Sequence, residues 1–380
     1  MSADLLYSDV EESLRGSVRG LLSARLTPES VMVRYDGGDD HAPLWKSLAA
    51  ELGLAALLVP EESGGAGASA REAAVVMEEL GRRVAPVPYF SSAVLATITL
   101  LEAGETDLLA MLASGDKTAA LAVPLSSTAN SLVLTVDSAQ DDQKSDNQDS
   151  DNQHRDSLTG RVTSVADTGT ADVFVVPAAL AEGGMALYRV DRGVVKVDSV
   201  VSLDMTRPLG DLTFEAASGT RIAEGKPAAK AVESALRHGA ALLASEQLGV
   251  AQWCLETTLE YVKGRHQFGR PVGSYQALKH RLADLWLQVG TANAAARYAA
   301  DCIAQGSEDT DVAVSIAQAY CSDVAVKAAE EAIQLHGGIG MTWEHPAHLY
   351  LKRAKADQIA MGTPDQHRAR LAELLDLPAS

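Results

Sequence analysis

Aromatic side chains are scarce in this 380-residue chain, at 4% of the sequence, so a core of stacked rings is excluded. The 47% hydrophobic content must come mainly from Ala, Leu and Val, which suits closely packed helices. Positive charge is also short. Against 51 Asp and Glu stand 32 Lys and Arg, a net charge of −19 with a pI near 4.8. That balance works against a nucleic-acid backbone or an anionic membrane surface as partner and serves solubility. Cysteine is confined to Cys254, Cys302 and Cys321, all in apolar helical contexts without ligand spacing. They read as buried, reduced thiols and exclude a disulfide framework. No apolar window reaches the roughly 18 residues of a membrane-spanning helix. The N-terminal "MSADLLYSDVEESLRG" has no basic stretch followed by an apolar run, so no signal peptide is visible. These absences predict a cytoplasmic protein with neither a membrane nor a nucleic acid as partner.

What is present falls into three blocks with different periodicity. Residues 1–114 are helical: "LTPESV" offers Thr27 as an N-cap with Pro28 at the first helical position. "APLWKSLAAELG" and "SAREAAVVMEELGRR" carry apolar residues at i, i+3 and i+4, and the Gly-rich "LLVPEESGGAG" lies between them. Residues 115–225 switch to short β-like runs, "TAALAVPL", "SLVLTVD", "LTGRVTSV", "ADVFVVPA", "MALYRVD", "VVKVDSVV" and "LGDLTFE", separated by turn residues. They predict a middle antiparallel β domain. Within it, 137–157 repeats Ser-Asp-Asn-Gln and has almost no apolar residue, so it reads as a disordered acidic insertion or an extended hairpin tip. From 226 to 380 long amphipathic helices with short connections predict a four-helix bundle.

Several stretches have residue types able to do chemistry. "YVKGRHQFGRPVGSYQALKHRLADL" ends a helix in a basic, Gly-containing turn with one Phe. Read blandly, it is a solvated helix end whose cations meet the negative end of the dipole. Read functionally, Arg265 grips a phosphate-like anion and Phe268 covers an apolar ring. "QLHGGIGMTWEH" places Gly337 and Gly338 at a helix end. A double glycine there is a C-cap, and it also lets a ligand approach the backbone, with Gln334 as a nearby donor. His336 and His345 lack the helical spacing of metal ligands, so no metal is expected.

These motifs, taken with "ELGLAALLVPEESGGAG", "MEELGR" and "LTGRVTSVADTGTADVFVV", resemble the acyl-CoA dehydrogenase family across nearly the whole chain. The most specific pieces are "RHQFGRPVGSYQALKHRLADL" and "QLHGGIGMTWEHPAHLYLKRA". The resemblance implies an N-terminal helical domain, a middle β domain and a C-terminal four-helix bundle, assembled as a tetramer that binds FAD. It implies α,β-dehydrogenation of an acyl-CoA thioester, in which a base takes the α proton and the β hydride goes to FAD. Electrons would then pass to an electron-transfer flavoprotein or a similar acceptor. By the same resemblance, Arg265, Phe268, Gln334, Gly337 and Gly338 match residues that contact the FAD held by a neighbouring subunit.

Two parts of the family pattern are missing. In "ADQIAMGTPDQHR" the position where many members place the catalytic Glu is Met361, whose thioether cannot accept a proton; Thr363 remains as a candidate contact to the flavin region. Where the family has a Thr-Glu-Pro-Gly-like loop around its own flavin, this chain has "LAVPLSSTAN", with Pro124 and Ser126 to Thr128 as weak substitutes. An aromatic residue usual after the next strand is replaced near Val165 and Ala166. Two explanations remain open. The base is Glu246, a lone acid in the apolar run "LLASEQLGVAQ" near His238 and Ser245, desolvated and so raised in pKa. Against this, Glu246 pairs with a cation such as Arg281 or Lys279. The other explanation is a hetero-oligomer, a dimer of dimers in which this chain completes its partner's FAD site as a half-site or non-catalytic subunit. An oxidase of the same fold is a third, weaker option.

Overall fold

A computed structural model describes residues 5–35, 42–140 and 155–377 of the chain, apart from the side chains of Arg34, Tyr35 and Gln140. The helices are α1 (Asp9–Arg25), α2 (Pro28–Tyr35), α3 (Ala42–Lys46), α4 (Ala70–Gly81), α5 (Thr97–Ala103), α6 (Thr106–Ala113), α7 (Lys226–Gly264), α8 (Gln276–Gln305), α9 (Thr310–His336), α10 (Ala347–Ile359) and α11 (Pro364–Leu374). The strands are β1 (Ala119–Leu121), β2 (Val136–Gln140), β3 (Arg155–Ala166), β4 (Val173–Leu180), β5 (Met185–Asp191), β6 (Lys196–Val200), β7 (Leu209–Glu224), β8 (His266–Gln267) and β9 (Arg270–Pro271). Helical N- and C-terminal regions thus flank a middle β region. Among the described residues no helix is long and apolar enough to cross a membrane, and the three cysteines are free and buried.

The chain forms two compact units that do not follow consecutive blocks of sequence. One comprises residues 1–44, 69–87 and 240–380; the other comprises 45–68 and 88–239.

In the first unit α7 is the central helix. From Ala240 to Ala251 every residue is buried, the signature of a helix surrounded on all sides. Glycine permits the close approach of α4: a Cβ added at Gly81 would collide with the carbonyl of Glu246, and one at Gly249 with the carbonyl of Glu78. The small residues of this run therefore serve helix packing. At the other edge α1 is tied down by charge. Ser8 and Glu11 form a reciprocal capping box at its start. Arg15 then reaches Glu78 and Glu79 at 2.8 and 3.0 Å, while Glu11 accepts from Arg297 at 2.7 Å.

The second unit is built on a β barrel. β4 pairs with β5, β5 with β7, β7 with β3, β3 with β2, and β2 with β4, so the ring of strands closes. Most pairings are antiparallel as the short alternating runs predict, but β1–β4 and β2–β4 are parallel. Phe174, Tyr188, Phe214, Leu158 and Val176 fill its core. "SLVLTVD" becomes strand only from Val136 onward; Val133 before it is 72% exposed. The insertion read as 137–157 is shorter than its composition predicts. Asp137 to Gln140 and Arg155 to Ser157 belong to paired strands β2 and β3, where the buried Ser138 donates to the Ala179 carbonyl and the buried Asp156 is held by Arg221 and the Tyr188 hydroxyl. Its remainder, 141–154, lies outside the described residues.

Candidate functional site

Four of the residues singled out by sequence line one cleft of about 370 Å³ in the first unit: Arg265, Gln334, Gly337 and Gly338. Its walls come from the end of α7, the start of α8 and the end of α9. The sequence builds it through two chain reversals. After α7 the chain turns through the β8–β9 hairpin, held by Val272 N–H donating to the Arg265 carbonyl at 2.8 Å. The two-residue loop Phe268–Gly269 has φ of 53° and 78°, both left-handed, as a type I′ hairpin turn requires. Phenylalanine is a poor choice for that backbone, at a cost of roughly 1 kcal/mol. It is nevertheless 91% exposed, so burial does not compensate. A strained, exposed aromatic is a feature of binding sites. Phe268 stands at the hairpin tip, beside Gln267, which lines the cleft.

The second reversal is Gly337, at φ 65° beyond the end of α9. A Cβ added at Gly337 or Gly338 meets no atom within 4 Å, so the space before this turn is open to a ligand. Sequence reasoning missed Tyr261, Gln267, Val272, Leu278, Arg281 and Leu335 in the lining. Within the lining, His336 stacks on Tyr261 at 4.4 Å and lies tilted against His345 at 4.2 Å, and its Nδ1 lies 2.6 Å from the Ala332 carbonyl. Burial, then the neighbouring imidazoles of His336 and His348, push the His345 pKa down to about 4, so this ring is neutral near pH 7. Among the described residues no group of acids, thiols and imidazoles is arranged to hold a metal ion.

The cleft fits an anion. Among the described residues Arg265 is engaged by no carboxylate, while Arg281 is held in a bidentate bridge by Glu331. One exposed, uncommitted guanidinium beside an open glycine turn matches the phosphate half of a dinucleotide.

The other implied site residues lie elsewhere in the fold. Met361 is 1% exposed and sits at φ 54° in the left-handed turn after α10. His367 donates through Nε2 to its carbonyl at 2.8 Å. The carbonyls of Asp357 and Ala360 accept from Gln318 Nε2 at 3.3 and 2.9 Å, and that of Asp357 also from Gln247 Nε2 at 3.1 Å. Thr363 is the N-cap of α11: its hydroxyl accepts from Gln366 N–H, and its own N–H donates to Gln366 Oε1 at 2.8 Å. This reciprocal box gives Thr363 a structural task.

Glu246 is 1% exposed and forms an ion pair with Arg353 of α10, itself 1% exposed. The cation is neither Arg281, which serves Glu331, nor Lys279. A carboxylate bound to a buried guanidinium is stabilised in its charged form and is poorly placed to accept a proton.

The loop 121–130 in the second unit spends its backbone donors on neighbouring groups of the same unit. The N–H groups of Ala122, Val123, Leu125 and Ser127 donate to the carbonyls of Val175, Leu121, Ser164 and Pro124 at 2.8 to 3.0 Å. The N–H of Thr128 donates to Ser131 Oγ at 3.3 Å. Few are left to hold the ring of a flavin.

Comparison with known proteins agrees with the motifs. Family models for the acyl-CoA dehydrogenase N-terminal and C-terminal domains match residues 8–115 and 229–375. The acyl-CoA dehydrogenase IpdE2 of Mycolicibacterium smegmatis is 33% identical over 96% of this chain and 98% of its own length. One chain of the ChsE4–ChsE5 complex from Mycobacterium tuberculosis is 27% identical, with a TM-score of 0.83 and full coverage of both chains. A Tcur3481–Tcur3483 steroid ACAD variant is 26% identical, with a TM-score of 0.81 over 97% of this chain and 98% of that one. On the motifs, the fold and these likenesses, the chain belongs to the acyl-CoA dehydrogenase family.

Proposed function

We propose that this chain serves the FAD-dependent α,β-dehydrogenation of an acyl-CoA thioester as the half-site subunit of a hetero-oligomer. In this reading it completes a partner's FAD site and leaves the α-proton abstraction to that partner. The observation that carries the reading is the engagement of Glu246 by Arg353, with methionine at the usual base position. Neither place where the family puts its base then holds an available carboxylate. The spent donors of 121–130 point the same way, since that loop is the one expected to hold the chain's own flavin.

When bound, FAD supplies the acceptor for the hydride leaving the β carbon, which no side chain can do. Around the partner's FAD, Arg265 would grip phosphate oxygens in a bidentate fashion. Gly337 and Gly338 would let the backbone come close, Gln334 would donate a hydrogen bond, and Phe268 would cover an apolar ring. Thr363 and Met361 shape the chain break rather than the chemistry.

The ChsE4–ChsE5 complex and the Tcur3481–Tcur3483 steroid ACAD, each named for two proteins, support an assembly of unlike chains. That the latter is a steroid ACAD favours a bulky acyl group here as well. The assembly is a dimer of dimers in the cytoplasm that hands electrons to an electron-transfer flavoprotein or a similar acceptor.

The test is co-expression with a second, complete acyl-CoA dehydrogenase from the same source. Purified alone, this chain should be colourless and inert toward acyl-CoA; with its partner it should carry flavin and turn over substrate. Glu246→Gln should leave kcat of the assembly intact, whereas Arg265→Ala should raise the FAD dissociation constant. Loss of turnover in Glu246→Gln with retained fold and flavin would restore Glu246 as the base and end the half-site reading.

A further inference from the structure

Two arginines face the cleft, and they differ in their commitments. Arg265 meets no carboxylate among the described residues, whereas Arg281 donates through Nε and Nη2 to the two oxygens of Glu331, both at 2.9 Å. That fork-on-fork geometry is the strong form of an arginine–carboxylate pair. It joins α8 to α9 through Arg281 of the cleft lining, with the Glu331 side chain 19% exposed and that of Arg281 42% exposed. The pair is formally neutral. The cleft therefore offers a ligand one net positive charge, although two guanidinium groups line it.

We propose that Glu331 is a specificity-determining residue that sets the charge selectivity of this cleft. By neutralising Arg281 it matches the cleft to a diphosphate esterified at both ends, as in a dinucleotide. It disfavours nucleotides whose phosphates end free. The inference rests on the reading of the cleft as an anion site.

The physical basis is simple. A terminal diphosphate carries one more negative charge than the internal diphosphate of a dinucleotide. Every charge on the ligand is repelled by the Glu331 carboxylate, the more so the nearer it lies and the lower the salt. The more highly charged ligand is penalised more. Removing the carboxylate while keeping its shape should relieve that penalty and free Arg281 to act as a second cation.

The test titrates the flavin-stripped assembly of this chain with its partner with ADP, as the terminal-diphosphate probe, and with FAD, at low and high ionic strength. At low salt Glu331→Gln should tighten ADP binding about 3- to 10-fold and FAD binding by less, and the gain should shrink toward unity at roughly 0.5 M salt. Arg281→Gln, which leaves Glu331 unneutralised, should weaken both ligands. The double variant Arg281→Gln/Glu331→Gln should return to within about 2-fold of the parent, because the net charge is restored. A merely structural bridge would not tighten ADP binding when its carboxylate alone is removed, nor would it change the salt dependence. Weaker ADP binding in Glu331→Gln, equal tightening of both ligands, or a double variant no better than Arg281→Gln would each overturn the proposal. Arg265→Ala separates the two levels. If it leaves ADP binding unchanged, the cleft is not an anion site and the underlying reading falls with the inference. If it weakens ADP while Glu331→Gln changes nothing, only the charge assignment fails.

Discussion

Met361 and Glu246 show how differently two buried positions can be read once their surroundings are known. Met361 carries a left-handed backbone, a conformation that costs a residue with a side chain about 1–2 kcal/mol. Met361→Gly would remove that cost but also a side chain that is 1% exposed, worth about 2–5 kcal/mol with the cavity it leaves. Burial wins, so the variant should be destabilised by about 1–3 kcal/mol in urea titrations. Glu246→Gln takes one carboxylate away from the buried Arg353 guanidinium. Breaking such a pair from one side costs about 3–5 kcal/mol, and because glutamine keeps an acceptor the lower end is expected, read as a reduced urea midpoint at unchanged slope. Together the two variants separate stability from chemistry. Both should be less stable, and neither should change the turnover of the folded assembly.

At the scale of elements, α4 and α7 touch through glycine. Gly249→Ala gains up to about 1 kcal/mol of helix propensity, yet its new methyl would meet the Glu78 carbonyl. A backbone atom cannot move aside without shifting a helix, so a net loss of about 2 kcal/mol or more is expected, visible as a lower Tm. α1 is held by charge instead, and charge brings pH dependence. Burial works to raise the Glu11 pKa, but the Ser8 N–H and the guanidinium groups of Arg71 and Arg297 outweigh it and bring it down to about 2. A carboxylate with a depressed folded pKa contributes stability above its unfolded pKa, and that contribution is lost as pH falls through the range from about 4.5 to about 2. Acid titration of Tm should therefore be flatter in Glu11→Gln than in the parent across that range. An identical slope would remove Glu11 from the account. Much at this scale was legible from sequence: the helical periodicity, Thr27 accepting from Ser30 N–H as an N-cap, and the two reversals around Arg265 and Gly337. The Arg353 partner of Glu246 was not legible. The two residues lie 107 positions apart, and only the packing of α7 against α10 brings them together. For the same reason the interleaving of the two compact units has no local signal. It depends on which helix faces meet, and periodicity states only that each helix has one.

At the scale of the molecule, the division between a retained cleft and an eroded loop has a countable consequence. A self-sufficient homomer would carry one FAD per chain, each completed by a neighbour. In the half-site reading this chain contributes Arg265, Gln334, Gly337 and Gly338 but cannot hold a flavin on 121–130, where the N–H groups of Ala122, Val123, Leu125, Ser127 and Thr128 are already spent. Each flavin then needs one chain of each kind. The assembly purified with its partner should contain one FAD for every two chains, measured as flavin absorbance after denaturation against total protein. Arg265→Ala in this chain should lower that ratio on dialysis, although the residues that hold the isoalloxazine would all belong to the partner. A ratio of one flavin per chain would mean that the loop 121–130 holds FAD despite its spent donors. The erosion read from sequence would then be a change of loop chemistry rather than a loss of site.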